Sequence, residues 1–433
     1  MKIIQSTFLV FLSLIIFSSC KMPDPSDPFR RFSMERNLIV VISDIHLGAD
    51  PAYAECTKNL TALEEFLTQI RVSSNVKELV IAGDLLDQWY IPAHINTYQG
   101  KDQADFVKRI AAANKGVIDA FKRIIRDERI LVTYVPGNHD LTITEANVDL
   151  ILPGINQKRD KELGLGTYSP QGYPKIAIEH GHRYNFFCAP DPFSNQDIAP
   201  GSILPPGYFF TRIAALSVSQ KYPPAGDILP VITPNVSGQE SQNLLFAYWK
   251  LWEWTLNTFH ITNKFNEKII VTNIDGLTGT YAVNDLLPYQ TTPGGFIDVD
   301  LYKGIQDTWT QRQAHNNVAV PIPAMHAISK SALASETDDQ AVIQYFQNPK
   351  SNVRIVVFGH SHVPTIQSSL DHLGQKSIYV NAGTWIDVNP HGKTMDFVVI
   401  TPQVDDCCSK THVRLYNFEN EVITLMAEDS VRL

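Results

Sequence analysis

Ile130-Leu-Val-Thr-Tyr-Val135 runs directly into Pro136-Gly137-Asn138-His139-Asp140. The apolar, β-branched run reads as a buried strand, and Pro136-Gly137 breaks it and opens a turn. An Asn, a His and an Asp therefore stand together where a strand becomes a loop, the place where a rigid scaffold presents chemistry. Alone, the tetrapeptide is compatible with ordinary turn chemistry. Its meaning depends on how the other strands end.

Four more apolar runs end the same way. Leu38-Ile-Val-Val-Ile42 leads into Ser43-Asp44-Ile45-His46, and Glu78-Leu-Val-Ile-Ala82 leads into Gly83-Asp84. Lys175-Ile-Ala-Ile-Glu179 leads into His180-Gly181-His182, and Arg354-Ile-Val-Val-Phe358 leads into Gly359-His360-Ser361-His362. Asp44 and His46 are two apart in what reads as an extended segment, which puts their side chains on one face; His360 and His362 repeat the spacing. Between these runs, apolar residues recur at helical spacing over 57–72 and over Gln103 to Asp127. Further strands are expected at 378–381, 396–401, 413–417 and 422–426. Strands alternating with helices early, then strands alone, fit a layered α/β fold. In open α/β sheets ligands bind outside the carboxyl ends of the strands. Five strand ends can thus bring Asp44, His46, Asp84, Asn138, His180, His360 and His362 to one place, with His139 beside them.

The mixture of carboxylate, imidazole and amide oxygen, without thiolate, suits divalent first-row metals such as Mn²⁺, Fe or Zn²⁺. Seven ligands exceed one tetrahedral ion and suit two ions sharing a carboxylate, an arrangement that clamps an in-line displacement at phosphorus.

The chain has 433 residues, 44% hydrophobic and 19% charged, so it can bury a large core. Its net charge of −9 gives no indication of a nucleic-acid-binding surface. At the N-terminus, Lys2 precedes the apolar stretch Phe8–Phe17, followed by Ser18, Ser19 and Cys20. This reads as a secretory signal, too short to span a bilayer as a mature helix. The Phe-Ser-Ser-Cys ending resembles the lipobox of bacterial lipoproteins. That resemblance implies cleavage before Cys20, acylation of its thiol, and an exported protein held to a membrane, periplasmic or at the cell surface. The expected organisation is a signal peptide at 1–19, a tether at 20–36, a core at 37–188, an inserted cap at 189–350 and the second part of the core at 351–433. Cys56, Cys188, Cys407 and Cys408 are expected to be structural or free. The cap is rich in Pro, Gly and aromatics, with helices expected over Tyr208–Gln220 and Leu244–Phe259. It reads as a unit with its own small core, whose aromatics either pack the cap against the sheet or in part line a substrate pocket.

Taken together, Asp44-Ile-His46, Gly83-Asp84, Gly137-Asn-His-Asp140, His180 and Gly359-His-Ser-His362 resemble the signature of the calcineurin-like metallophosphoesterases. The resemblance implies a four-layer α/β/β/α sandwich with the insertion as a large, partly helical cap. It implies Asp44, His46 and His362 on one metal, Asn138, His180 and His360 on the other, and Asp84 bridging. A hydroxide between the metals would attack a phosphomonoester, phosphodiester or pyrophosphate. His139 would stabilise developing charge or act as general acid, and Asp140 would orient it. His182 either contacts phosphate or supports the site, and Arg183 is a candidate phosphate clamp. Gly83-Asp-Leu-Leu-Asp-Gln-Trp89 is similar to the variant in UDP-2,3-diacylglucosamine hydrolases, from which this chain departs at His139 and in the length of its insertion. A protein of another class, a surface lipoprotein using the fold as a binding platform, is expected to have lost ligands; this chain has all of them.

Overall fold

The strand Leu38–Ile42 is buried at every position and lies within a seven-stranded sheet. It pairs in parallel with Val76–Ala82, which pairs in parallel with Leu131–Val135. Asn156–Gln157 closes that side, and the antiparallel strands Asp396–Thr401, Thr411–Glu419 and Val422–Val431 extend the other. A second sheet has the order Thr365–Leu370, Lys376–Asn381, Ile355–Phe358, Ile176–Ile178, its last three strands parallel. The computed structural model describes residues 28–29, 35–161, 164–403 and 409–433. The expected signal segment 1–19, Cys20, Cys407 and Cys408 lie outside the described residues.

Side-chain alternation builds two cores from the same strands. Ile39, Val41, Val80 and Ala82 meet Ile178, Val357 and Val380 between the sheets. Their neighbours Val40, Ile42, Leu79 and Ile81 face the helices Leu60–Val72 and Lys115–Arg126, whose Leu63, Phe66, Ile118 and Phe121 fill the outer core. On the outer face of the second sheet, Phe358 packs against Tyr184, Tyr345 and Tyr379.

The helix expected from Gln103 to Asp127 is two helices, Gln103–Ala113 and Lys115–Arg126, with Asn114 at φ −114°, ψ 36° between them. The Asn114 amide donates to the Gly48 and Ile110 carbonyls at 2.8 and 2.9 Å. The break therefore fastens the loop that follows His46.

The inserted region contains the helices Gly207–Ser219, Glu240–Thr258, Ile305–His315, Ala324–Lys330 and Ala334–Ala341, with two short hairpin sheets. It has no core of its own. Tyr208, Trp252 and Trp309 belong to the same continuous apolar cluster as Leu63 and Phe121. The expected separate core is corrected by Trp89, Phe186 and Phe187, which carry the packing from one part to the other. Cys56 is buried and Cys188 half-buried, both as free thiols. Among the described residues, no helix is long and apolar enough to cross a membrane.

Candidate metal centre

Parallel pairing places the carboxyl ends of Leu38–Ile42, Val76–Ala82 and Leu131–Val135 at one edge of the first sheet, and those of Ile176–Ile178 and Ile355–Phe358 at one edge of the second. The loops that leave these ends are laced by backbone hydrogen bonds. The amides of Ile45 and His46 both donate to the Asp84 carbonyl at 2.9 Å, Gly359 N–H to the His180 carbonyl at 3.2 Å, and Trp385 N–H to the Asp44 carbonyl at 3.0 Å.

Asp44, His46, Asp84, His360 and His362 all have left-handed backbone, with φ of 53°, 52°, 49°, 67° and 59°. The extended conformation expected for Asp44–His46 and His360–His362 is therefore corrected. Each of these five candidate ligands is turned into the site by a local left-handed kink, whereas Asn138 and His180 are not. Such a kink costs a non-glycine residue about 1–3 kcal/mol and persists only where the surroundings impose it. The glycines in these loops leave room for the ligands. A methyl group on Gly137 would overlap the Asp84 carboxylate, and one on Gly359 would overlap Ser43 and the Asp44 carboxylate.

The structure brings the predicted ligands together. Asp44 Oδ1 lies 3.0 Å from His362 Nε2 and 3.9 Å from His46 Nε2, and the two imidazole nitrogens are 3.3 Å apart. On the other side, His180 Nε2 lies 3.2 Å from Asp84 Oδ2 and 3.1 Å from Asn138 Oδ1. Asp84 Oδ2 also lies 3.6 Å from His46 Nε2, so this carboxylate faces both groups; Asp44 Oδ1, 4.0 Å from His180 Nε2, does so too. His360 packs its ring 5.1 Å from that of His180, and its amide donates to both oxygens of Asp44. The His180 Nδ1 is engaged with the Ala82 carbonyl at 2.9 Å, which leaves Nε2 for the centre.

Asp44 and Asp84 are buried, and among the described residues no Lys or Arg pairs with them or with Asp87. Buried carboxylates demand a compensating positive charge. Here that demand falls on imidazole. Burial disfavours a charged His180, but Asp84 and Asp44 outweigh it and raise the ring to about 9. His46 is raised by its carboxylate neighbours in the same way against burial. His360 goes the other way, to about 3, through burial and the charge on His180. A cluster of oxygen and imidazole donors with unbalanced buried negative charge fits divalent cations. The sets Asp44/His46/His362 and Asp44/Asp84/His180 each place their donor atoms within 4.8 Å of one another.

His139 stands beside this cluster. Its amide donates to Asp84 Oδ1 at 2.8 Å, and its ring stacks on Trp89 at 5.0 Å and meets His46 edge-on at 4.4 Å. Its Nδ1 lies 2.9 Å from Asp87 Oδ1. The expected orienting role of Asp140 is corrected: Asp140 accepts from the amides of Gly137 at 2.7 Å and Leu85 at 2.8 Å and so ties two loops together. Burial and the Asp84 charge push Asp140 up to about 6. Asp87 was missed as a site residue, although it stands three residues after Asp84 in Gly83-Asp-Leu-Leu-Asp-Gln-Trp89.

The two candidate phosphate contacts part ways. His182 is buried 5.3 Å ring to ring from His180, with neither nitrogen hydrogen-bonded. Burial first, then the charge on His180, hold it well below the ordinary histidine range. Arg183 is placed away from phosphate. It pairs with Glu179 at 2.7 Å and Asp160 at 3.3 Å and donates to the Asn316 carbonyl. Its fork is consumed in holding the insertion to the core, which corrects its assignment as a clamp.

The family model for calcineurin-like phosphoesterases matches residues 38–202. That span holds Asp44, His46, Asp84, Asn138, His139 and His180, and the fold adds His360 and His362 to them. No curated protein matches the chain. Among solved structures, N-acetyl-D-glucosamine-6-phosphate deacetylase from Mycobacterium smegmatis aligns at 12% identity over 90% of this chain and 75% of that one, with a TM-score of 0.16, a level that carries no argument. Residues 38–202 are thus similar to the calcineurin-like phosphoesterases, and a match to that domain indicates a metal-dependent phosphoester hydrolase.

Proposed function

We propose that the chain hydrolyses a phosphomonoester, phosphodiester or pyrophosphate at a centre of two divalent ions. Asp44, His46 and His362 would hold one ion, Asn138, His180 and His360 the other, and Asp84 would reach both. The observation that carries this reading is the Asp84 carboxylate, buried between His46 Nε2 at 3.6 Å and His180 Nε2 at 3.2 Å with no Lys or Arg partner among the described residues. When bound, two such ions supply Lewis-acid activation of the phosphoryl oxygens and a water of lowered pKa.

The chain's own groups do the rest. Asp87 holds His139 by Nδ1, so that Nε2 is the nitrogen left to exchange a proton with the leaving oxygen. Trp89 backs the imidazole ring and fixes its plane. Buried His182, kept neutral, adds no positive charge beside His180 and His360.

The test is hydrolysis of p-nitrophenyl phosphate and bis(p-nitrophenyl) phosphate by the metal-loaded protein, before and after chelation. Turnover of either ester that is lost on chelation and restored by a divalent metal supports the reading. A metal-loaded protein that turns over neither ester would overturn it. We infer export and acylation at Cys20 from the Phe8–Cys20 pattern alone; a Cys20→Ser variant that still incorporates labelled fatty acid contradicts that inference.

A further inference from the structure

The helix Ala334–Ala341 of the inserted region lies against two of the ligand loops. Each of these loops has a residue between two histidines: Gly181 between His180 and His182, and Ser361 between His360 and His362. Consecutive residues of the helix meet both. A methyl group on Gly181 would lie 3.0 Å from Thr337 Cγ2, so the helix is seated on that loop. Asp338 Oδ1 accepts a hydrogen bond from Ser361 Oγ at 3.2 Å.

Ser361 is one corner of a closed network. The same Asp338 oxygen accepts from the Tyr379 hydroxyl and, at 3.4 Å, from Asn381 Nδ2. Asn381 Nδ2 also donates to the Gly359 carbonyl at 2.7 Å and to Ser361 Oγ at 2.9 Å. Ser361 N–H donates to that Gly359 carbonyl at 2.8 Å. The groups themselves set the direction of the bonds. An amide nitrogen only donates, so Ser361 Oγ receives a proton from Asn381 and passes its own to a further acceptor. Asp338 is that acceptor. Asp338, Ser361, Tyr379 and Asn381 are all buried. Burying a carboxylate among neutral groups opposes folding, so packing alone does not account for an Asp at 338. His360 and His362 stand in left-handed backbone, at φ 67° and 59°, which persists only with outside support. The network gives that support at the residue between them.

We propose that Asp338 is a positioning residue of the metal centre, contributed by the insertion. Through Ser361 it holds the kinked Gly359–His362 loop and so sets the imidazoles of His360 and His362, one for each ion. The insertion is then part of the metal-binding scaffold as well as a cover. This rests on the two-metal reading above and adds to it a residue that touches neither metal nor substrate.

The experiment measures Mn²⁺ affinity of the full chain by chelator competition. Asp338→Ala should weaken binding by about 10–100-fold, the usual cost of losing a group that orients a ligand. Asp338→Asn keeps an acceptor oxygen and should stay within a factor of a few of wild type. Ser361→Ala removes the donor from the other side and should show a loss similar to that of Asp338→Ala. The double alanine variant should bind no more weakly than either single one, because both break the same bond. Glu336→Ala is the control. Glu336 bonds His326 and Gln340, both at 2.9 Å, and its removal loosens the same helix without reaching the ligand loop, so affinity should be unchanged. Wild-type affinity in Asp338→Ala or in Ser361→Ala overturns the proposal. So do losses that add in the double variant, an Asp338→Asn loss as large as that of Asp338→Ala, or an equal loss in Glu336→Ala. Should Asp338→Ala fail to fold, Ser361→Ala decides by the same two results. Wild-type protein that binds no divalent metal would overturn the two-metal reading, and the positioning role with it.

Discussion

The Asp87 carboxylate touches two imidazoles at once: Oδ1 lies 2.9 Å from His139 Nδ1, and Oδ2 lies 3.2 Å from His46 Nδ1. The same Oδ1 accepts the amides of Trp89 and Tyr90, both at 2.8 Å, so the carboxylate is itself held. Through it, the tilt and tautomer of a candidate proton donor and of a candidate metal ligand are fixed together.

Replacing Asp87 by Asn removes the negative charge from both imidazoles while keeping the shape. Turnover should fall by about 10–100-fold, the usual cost of losing a group that orients a ligand. Because His46 is touched too, metal affinity should fall as well, as read by chelator competition. A variant with unchanged metal affinity and full turnover contradicts the dual contact.

His139→Ala should behave differently. His139 makes no contact with metal in the proposed arrangement, so metal content should persist while kcat drops roughly 10²–10⁴-fold, the size of a general acid-base contribution. Loss of both metals in this variant would show that His139 is a ligand.

Much of this centre could be read from the chain, and the reasons are particular. Asp44, His46, Asp84, Asn138, His180, His360 and His362 each follow an apolar run, and parallel strands deliver such positions to one edge. The conformation of those loops was not legible. Nothing in Asp44-Ile-His46 announces φ of 53° and 52° at its two polar residues, because the kinks are imposed by hydrogen bonds to Gly83 and Asp84, in another loop. Asp140 and Asp87 were confused for a related reason. Asp140 is next to His139 in sequence, yet the turn sends its carboxylate back to Gly137 and Leu85, and Asp87 reaches the imidazole from the neighbouring strand end. Arg183 looked like a free clamp because its partner Glu179 was counted only as the end of a strand.

Arg183→Met tests that last correction. Removing one partner of a buried pair strands the other charge and typically costs about 3–5 kcal/mol. Arg183 and Glu179 are both buried, so the variant should lower the unfolding midpoint in urea markedly, while KM of the folded fraction stays within a factor of a few. A stable variant with a large rise in KM restores the clamp.

Asp396, which is not among the candidate ligands, gives a pH signature of its own. Burial raises its carboxyl to about 7, in spite of the Asn417 amide donating at 3.0 Å, and its Oδ2 is buried without a partner. The unfolded carboxyl titrates near the ordinary Asp value of about 3.9. Between these values the folded state binds more proton, so this group's contribution to stability is present at low pH and is lost as pH rises towards 7. Asp396→Asn should flatten that part of the melting-temperature profile and raise the melting temperature at pH 8 by a few degrees. A wild-type-like profile in the variant refutes the assignment.

The most direct measurement counts bound metal and turnover together. Wild-type protein loaded with Mn²⁺ or Zn²⁺ and freed of excess metal should hold two ions per chain by elemental analysis and hydrolyse bis(p-nitrophenyl) phosphate or p-nitrophenyl phosphate. Asp84→Ala should lose most of both, since Asp84 faces His46 and His180 alike. Metal-free protein that turns over either ester at the loaded rate, or an Asp84→Ala variant with both ions and full turnover, would contradict the account.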